Sequence, residues 1–251
     1  MKPKTVVFLG SKPVGYQCFD YLLSQQQALG YQVIGLLTQQ RAEFSGNSDL
    51  AGLAADAGVP VLSDPDAIPP CDLLYSVQYH RILSAKQLAQ AALAVNLHMA
   101  PLPEYRGANQ FSFALLDGKK EFGTTIHLMD ARIDHGDIIA EKRFPIPQNC
   151  WVEMLYDLTQ EASVALFKET LPSLLTSDFE TTPQRLLEAS RGTSLHFKKE
   201  MASLKEIPEN TGTAMLLETL RATYMPGFEP PFLRMPDGEK IYLVREKDFK
   251  S

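Results

Sequence analysis

Apolar residues along this chain follow two periods that alternate. Thr5–Leu9 is a short continuous apolar run ending in Gly10, which predicts a strand buried on both faces and then a turn. From Tyr16 to Leu29 the apolar positions Phe19, Leu22 and Leu23 recur at helical spacing, and Gly30 follows as a C-cap. Gln32–Thr38 predicts a second buried strand, residues 39–47 a polar loop, Leu50–Ala57 a short helix closed by Gly58, and Val59–Leu62 a short strand. The alternation continues with a strand at Asp72–Gln78, a helix at Ala85–Ala91 and a strand at Leu93–Leu97. Apolar strands separated by helices predict an α/β fold with a doubly wound, Rossmann-like, mostly parallel sheet. Ligands of such sheets lie beyond the carboxyl ends of the strands.

The pattern changes in the second half. After a helix at Asn109–Leu116, two β-like runs follow at Thr124–Met129 and Asp137–Pro147. Trp151–Leu175 carries Leu155, Leu158, Ala162, Ala165, Leu166 and Leu174 on one side, the pattern of a long helix packed on the sheet. Asp178–Ser194 reads as a linker with a short helix. Beyond it come His196–Ile207, a helix at Ala214–Thr223, and a hairpin of Phe232–Arg234 with Lys240–Val244 turned at Pro236-Asp237-Gly238. The expected division is a catalytic domain over residues 1–178 and a small C-terminal α+β module over 179–251.

Composition narrows the function classes. The 251 residues are 45% hydrophobic and 22% charged, ordinary for a chain with a sizeable core, and the net charge is −6. An acidic balance argues against nucleic acid as the main partner, because phosphate binding normally needs a basic face. The three cysteines are scattered without metal-ligand spacing, so they read as reduced thiols and no metal is expected. The apolar start is too brief for a signal peptide or a membrane span, which leaves the cytoplasm as the expected compartment and no membrane partner.

The candidate chemistry lies at the end of the strand expected at Leu93–Leu97. Asn96 and His98 stand two apart at the end of an apolar run, so an extended backbone points both side chains to one face. Pro101, Pro103 and Gly107 turn the chain away, and Arg106 is the one cation in that turn. Asp134 follows in Ile133-Asp134-His135-Gly136-Asp137. An amide, an imidazole and a carboxylate can together hold an oxyanion, accept a proton and orient the base.

These residues resemble the formyltransferases that use N10-formyltetrahydrofolate. The resemblance rests on Asn96-Leu97-His98, Leu102-Pro103-Glu104-Tyr105-Arg106-Gly107, Gly123-Thr124-Thr125-Ile126-His127 and the Asp134 loop, in order within about forty-two residues. It extends more loosely over residues 4 to 175. It implies the formyltransferase fold, with Asn96, His98 and Asp134 as the catalytic residues and Asp134 preferred to Asp137 because the carboxylate precedes the glycine. It also implies walls for the folate donor at Tyr79, Arg81, Ile82 and Leu83, and at Leu128, Asp130 and Ile133. His127 is as readily structural as functional, and His135 receives no role.

The turn Gly10–Gly15 has neither the dinucleotide fingerprint nor the Walker spacing. It is either a plain strand-to-helix turn or a phosphate cradle in which Ser11 and Lys12 hold the acceptor. Tyr105, Arg106 and Asn109 complete the expected acceptor side, with Arg106 either reaching substrate or bracing the turn. Among relatives, those that formylate a nucleotide-linked aminodeoxy sugar fit best, through Tyr105-Arg106-Gly107-Ala108-Asn109 and the short C-terminal module. The methionyl-tRNA and glycinamide ribonucleotide enzymes are the competitors, and a non-catalytic folate- or nucleotide-binding protein is the alternative of another class. A homodimer is expected, and the C-terminal module either forms it or completes the acceptor pocket.

Overall fold

A computed structural model describes residues 3–39 and 49–249. The loop expected at 39–47 falls, from residue 40 on, outside the described residues. The first half builds β1 (Lys4–Gly10), α1 (Lys12–Ser24), a single turn α2 (Gln26–Leu29), β2 (Tyr31–Thr38), α3 (Leu50–Asp56), β3 (Cys71–Val77), α4 (Ala85–Leu88) and β4 (Ala91–His98). There follow β5 (Arg106–Gly107), α5 (Gln110–Leu116), β6 (Glu121–Leu128), β7 (Ile138–Pro145) and α6 (Val152–Thr176). The main sheet has the order β2-β1-β3-β4-β6-β7. Its first four strands are parallel, and β6 and β7 close it antiparallel.

The alternation of side chains on β1 explains the two layers. Val6 and Phe8 face one side, where Phe8 stacks on Phe19 at 5.1 Å and Phe167 lies 4.5 Å from Tyr75. Val7 and Leu9 face the other, with Leu37, Leu74 and Leu83. Each fully buried side chain of this size contributes about 1.5–3 kcal/mol. The chain leaves β1 toward β2 and returns on the other side as β3. The carboxyl ends of β1 and β3 therefore border the crevice where doubly wound sheets place ligands.

Two expected elements come out shorter. The helix expected over Ala85–Ala91 ends at Leu88, although Ser84 and Gln87 form a capping box. Ala91 already pairs with Cys71 in the parallel ladder, so sheet pairing overrides helix propensity there. The strand expected at Val59–Leu62 is reduced to a single bridge between Val61 and Leu36. Pro60 supplies only its carbonyl to Leu36 and has no N–H with which to extend a ladder.

The C-terminal part contains α7 (Glu188–Arg191), β8 (Leu195–His196), α8 (Glu200–Lys205), β9 (Glu206–Ile207), α9 (Thr213–Thr223), β10 (Phe232–Arg234) and β11 (Lys240–Tyr242). Strands β11-β10-β9 form a small sheet, and Gly238 turns its hairpin at φ 91°. The segment after the boundary expected at residue 178 is stitched to earlier loops. Thr182 and Ile138 exchange backbone hydrogen bonds of 2.7 and 2.9 Å, and β8 pairs in parallel with β5. Among the described residues no helix is long and apolar enough to cross a membrane.

Candidate active site

Strand β4 delivers Asn96 and His98 on one face, as their spacing requires. The neighbouring β6 runs antiparallel, with Asn96 opposite His127 and His98 opposite Thr125. Asn96 Nδ2 lies 3.1 Å from His127 Nε2 and donates to Asp134 Oδ1 at 3.4 Å. His98 is buried, with Nδ1 3.5 Å from Asp134 Oδ2 and Nε2 2.7 Å from the Tyr105 carbonyl.

Asp134 reaches this face because the chain between β6 and β7 folds back tightly. Asp134 itself adopts φ 47°, a left-handed conformation unusual for a residue with a side chain. Gly136 passes so close to the Leu128 carbonyl that a Cβ would strike it. The carboxylate is fixed by the Gly107 N–H, 2.9 Å from Oδ2. Gly107 in turn sits at φ 85° against the His196 carbonyl, where a Cβ would also collide. The glycine of the Tyr105-Arg106-Gly107 motif is thus required both by its dihedral and by the approach of β8.

The electrostatics favour an ionised Asp134. Burial opposes the charge, but His98, hydrogen bonding and charge from His127, and the Gly107 N–H outweigh it and hold the carboxyl below the usual carboxylate range. Both histidines touch carbonyl oxygens, which only accept. His98 therefore carries a proton on Nε2, and its Nδ1 is the nitrogen that faces the carboxylate. His127 carries a proton on Nδ1, 2.7 Å from the Leu128 carbonyl, and its Nε2 lies 3.1 Å from Asn96 Nδ2 and 3.5 Å from Asp134 Oδ1. No group of three or more His, Cys, Asp or Glu among the described residues is arranged to hold a metal.

The expected donor walls adjoin one another. Tyr79 and Met129 pack against a cluster containing Leu83, so the loop after β3 and the loop after β6 share one apolar floor. Leu83 is 2% exposed and belongs to that floor. Ile82 is 67% exposed, whereas Leu128 and Ile133 are half-buried. Arg81 lies at the surface beside Tyr79, and Asp130 is engaged by Arg132 and His135 at 3.1 and 3.5 Å.

The expected acceptor side is corrected at several positions. The Tyr105 ring lies in the core, and its hydroxyl donates to Asp117 at 2.6 Å. Only its carbonyl reaches the site, 2.7 Å from His98 Nε2. Arg106 braces the turn, donating to Gln184 and Glu188 at 3.0 Å each. Asn109 donates to the Phe197 carbonyl at 2.8 Å. Ser11 is buried, its Oγ given to the Gln78 carbonyl and its N–H to Val77 at 3.3 Å, so it has no donor left for a phosphate. Lys12 remains at the crevice, with Nζ 2.8 Å from Gln78 Oε1.

Two participants were not assigned from the sequence. His127 faces both Asn96 and Asp134 through the β4–β6 register, which no local pattern reveals. Gln184, 2% exposed, donates from Nε2 to the carbonyls of Asp134 and Gly136 at 2.9 and 2.7 Å. It comes from a segment that reads as a linker, and a lone Gln there carries no signal.

A methionyl-tRNA formyltransferase of Lactiplantibacillus plantarum is 28% identical over 72% of this chain and 61% of its own length. The chain thus spans about three-fifths of that relative. Among solved structures, WlaRD, a sugar 3N-formyl transferase crystallised in the presence of dTDP and 5-N-formyl-THF, superposes with a TM-score of 0.78 at 18% identity, covering 92% of this chain and 83% of that one. A 4-N formyltransferase from Francisella tularensis gives 0.77 at 20% identity and 98% of both chains. These likenesses establish the fold. The family described as formyl transferase matches residues 68–171. Those residues carry Asn96, His98 and Asp134, so this part of the chain is similar to the formyl transferase family.

Proposed function

We propose that the protein transfers a formyl group from N10-formyltetrahydrofolate to the amino group of a nucleotide-linked aminodeoxy sugar. The observation that carries the transfer chemistry is the convergence of Asn96, His98 and Asp134 on one face of β4. In this reading the donor lies over the floor formed by Tyr79, Leu83 and Met129, with its formyl carbon beside Asn96. The amine attacks that carbon, a C–N bond forms, and the carbonyl oxygen becomes an oxyanion. Asn96 Nδ2 exchanges its long contact with Asp134 for this oxygen, a donor typically worth about 10²–10³ in rate. His98 Nδ1 takes the amine proton, typically worth about 10²–10⁴, and Asp134 stabilises the imidazolium. The bond to N10 then breaks and His98 returns the proton to that nitrogen. No step uses a metal.

The choice of acceptor rests on two supports. Several solved structures that match nearly the whole chain are described as sugar N-formyltransferases, one of them in the presence of dTDP. The net charge of −6 suits a small acceptor better than tRNA. Lys12 at the crevice between β1 and β3 would meet the diphosphate. The matched methionyl-tRNA formyltransferase favours charged tRNA as a second reading. Supplying N10-formyltetrahydrofolate with dTDP-linked 3-amino and 4-amino sugars, or with methionyl-tRNA, and weighing the products decides between them. Formylated tRNA with every sugar refused would overturn the first reading.

The same reading places the protein in the cytoplasm, consistent with three buried, unpaired cysteines. It also makes the protein a homodimer through the C-terminal module, where Met215, Ile241 and Phe249 are 61%, 46% and 72% exposed. Light scattering that gives a monomer at micromolar concentration would remove the dimer.

A further inference from the structure

We propose that Gln184 is a positioning residue for the transfer reaction, holding the Asp134 carboxylate on His98 from a segment outside the matched formyl transferase region. The inference rests on the formyl-transfer reading above for its catalytic consequence only.

The geometry fixes how the Gln184 amide lies. Its nitrogen faces the carbonyls of Asp134 and Gly136 at 2.9 and 2.7 Å, and its oxygen faces Arg106 Nε at 3.0 Å. Carbonyls only accept and a guanidinium only donates, so no flipped amide satisfies all three partners. The side chain is 2% exposed, so each of these bonds is shielded from water. One end of Gln184 therefore holds the backbone of Asp134 in its φ 47° conformation. The other end holds Arg106, whose neighbour Gly107 gives its N–H to the Asp134 carboxylate at 2.9 Å. A single amide thus sets both the backbone of the acid and the donor that aims its oxygen. Released from either end, Asp134 would relax from a sparsely populated conformation, and its carboxylate would leave the 3.5 Å approach to His98.

The test uses the full chain with Gln184→Ala and Gln184→Glu. The glutamate variant is isosteric but turns a second acceptor toward two carbonyls. Amide hydrogen exchange needs no substrate, and peptides containing Gly107 and residues 133–137 should exchange at least about tenfold faster in both variants. With N10-formyltetrahydrofolate and a dTDP-linked amino sugar, kcat should fall about 10–100-fold while both KM values stay within about threefold, the signature of a misplaced group rather than a lost binding contact. In an Asp134→Asn background the same substitutions should cost kcat almost nothing further. Unchanged exchange, or a kcat loss of equal size in that background, overturns the proposal. If the wild-type chain formylates no amino sugar, the acceptor reading fails, and the exchange measurement still decides for or against the clamp.

Discussion

The carbonyl of Tyr105 stands 2.7 Å from Nε2 of His98, and this contact leaves Nδ1 as the nitrogen that faces Asp134. At a pH where His98 is neutral, nitrogen NMR should report the proton on Nε2. The opposite tautomer would mean that Nδ1 is not the base. His98→Ala should lower turnover by about 10²–10⁴. Binding of 5-formyltetrahydrofolate by calorimetry should change little, since the donor floor is built by other residues. A variant that turns over at the wild-type rate would remove His98 from the mechanism.

Asp134 and Asp137 lie three residues apart and do different things. Asp134 receives the Gly107 N–H and faces both histidines, whereas Asp137 offers its backbone carbonyl to Leu128 at 2.9 Å. Asp134→Asn should therefore reduce kcat by about 10²-fold or more, as loss of a charge that orients and stabilises the base does, and Asp137→Asn by much less. Steady-state kinetics on both variants checks the order, and the reverse order would move the carboxylate role to Asp137.

The same charge links stability to pH. In the unfolded chain an aspartate titrates near about 3.9, and in the fold the partners of Asp134 hold it lower. A depressed folded value means that its stabilisation is complete above the unfolded value and is lost as pH falls toward the folded one. Urea midpoints of wild type and Asp134→Asn should keep a constant gap above about pH 5 and converge below about pH 4. A gap undiminished at about pH 3 would show that Asp134 is not depressed.

Gly136→Ala places a methyl group against the Leu128 carbonyl. The loop must shift to admit it, at an expected cost of about 1–3 kcal/mol in stability and a fall in turnover of about 10²-fold through the displaced carboxylate. Thermal melting and kinetics measure the two effects separately. A fully active, equally stable variant would mean that the close approach is unimportant.

The parts of this molecule that could be read in the sequence are those with a local cause. Continuous apolar runs marked β1, β2 and β3 because strands buried on both faces need no polar positions. Asn96 and His98 were paired by the two-residue period of an extended chain. What escaped depends on register between distant strands. His127 meets Asn96 only because β6 lies antiparallel to β4 with that alignment. Tyr105 and Ser11 were assigned to ligands from their place in a motif, yet their side chains satisfy Asp117 and Gln78 instead. Gln184 acts across 50 residues of sequence on Asp134, and nothing near it in the chain announces that partner.

The stitching of residues 182–197 to the loops around β5 also sets an order in time. Ser194 bonds the Glu104 carbonyl, and Gln184 bonds Arg106, across separations of 90 and 78 residues. Contacts this distant form after the local ones, because the intervening chain must first be closed into a loop. During synthesis Asn96, His98 and Asp134 therefore emerge, and their sheet assembles, before the strand that aims them exists. A nascent chain stopped short of this segment holds Asn96, His98 and Asp134 but lacks the amide that braces the Asp134 backbone. Synthesis must therefore pass residue 184 before the hydrogen bonds that brace Asp134 can form.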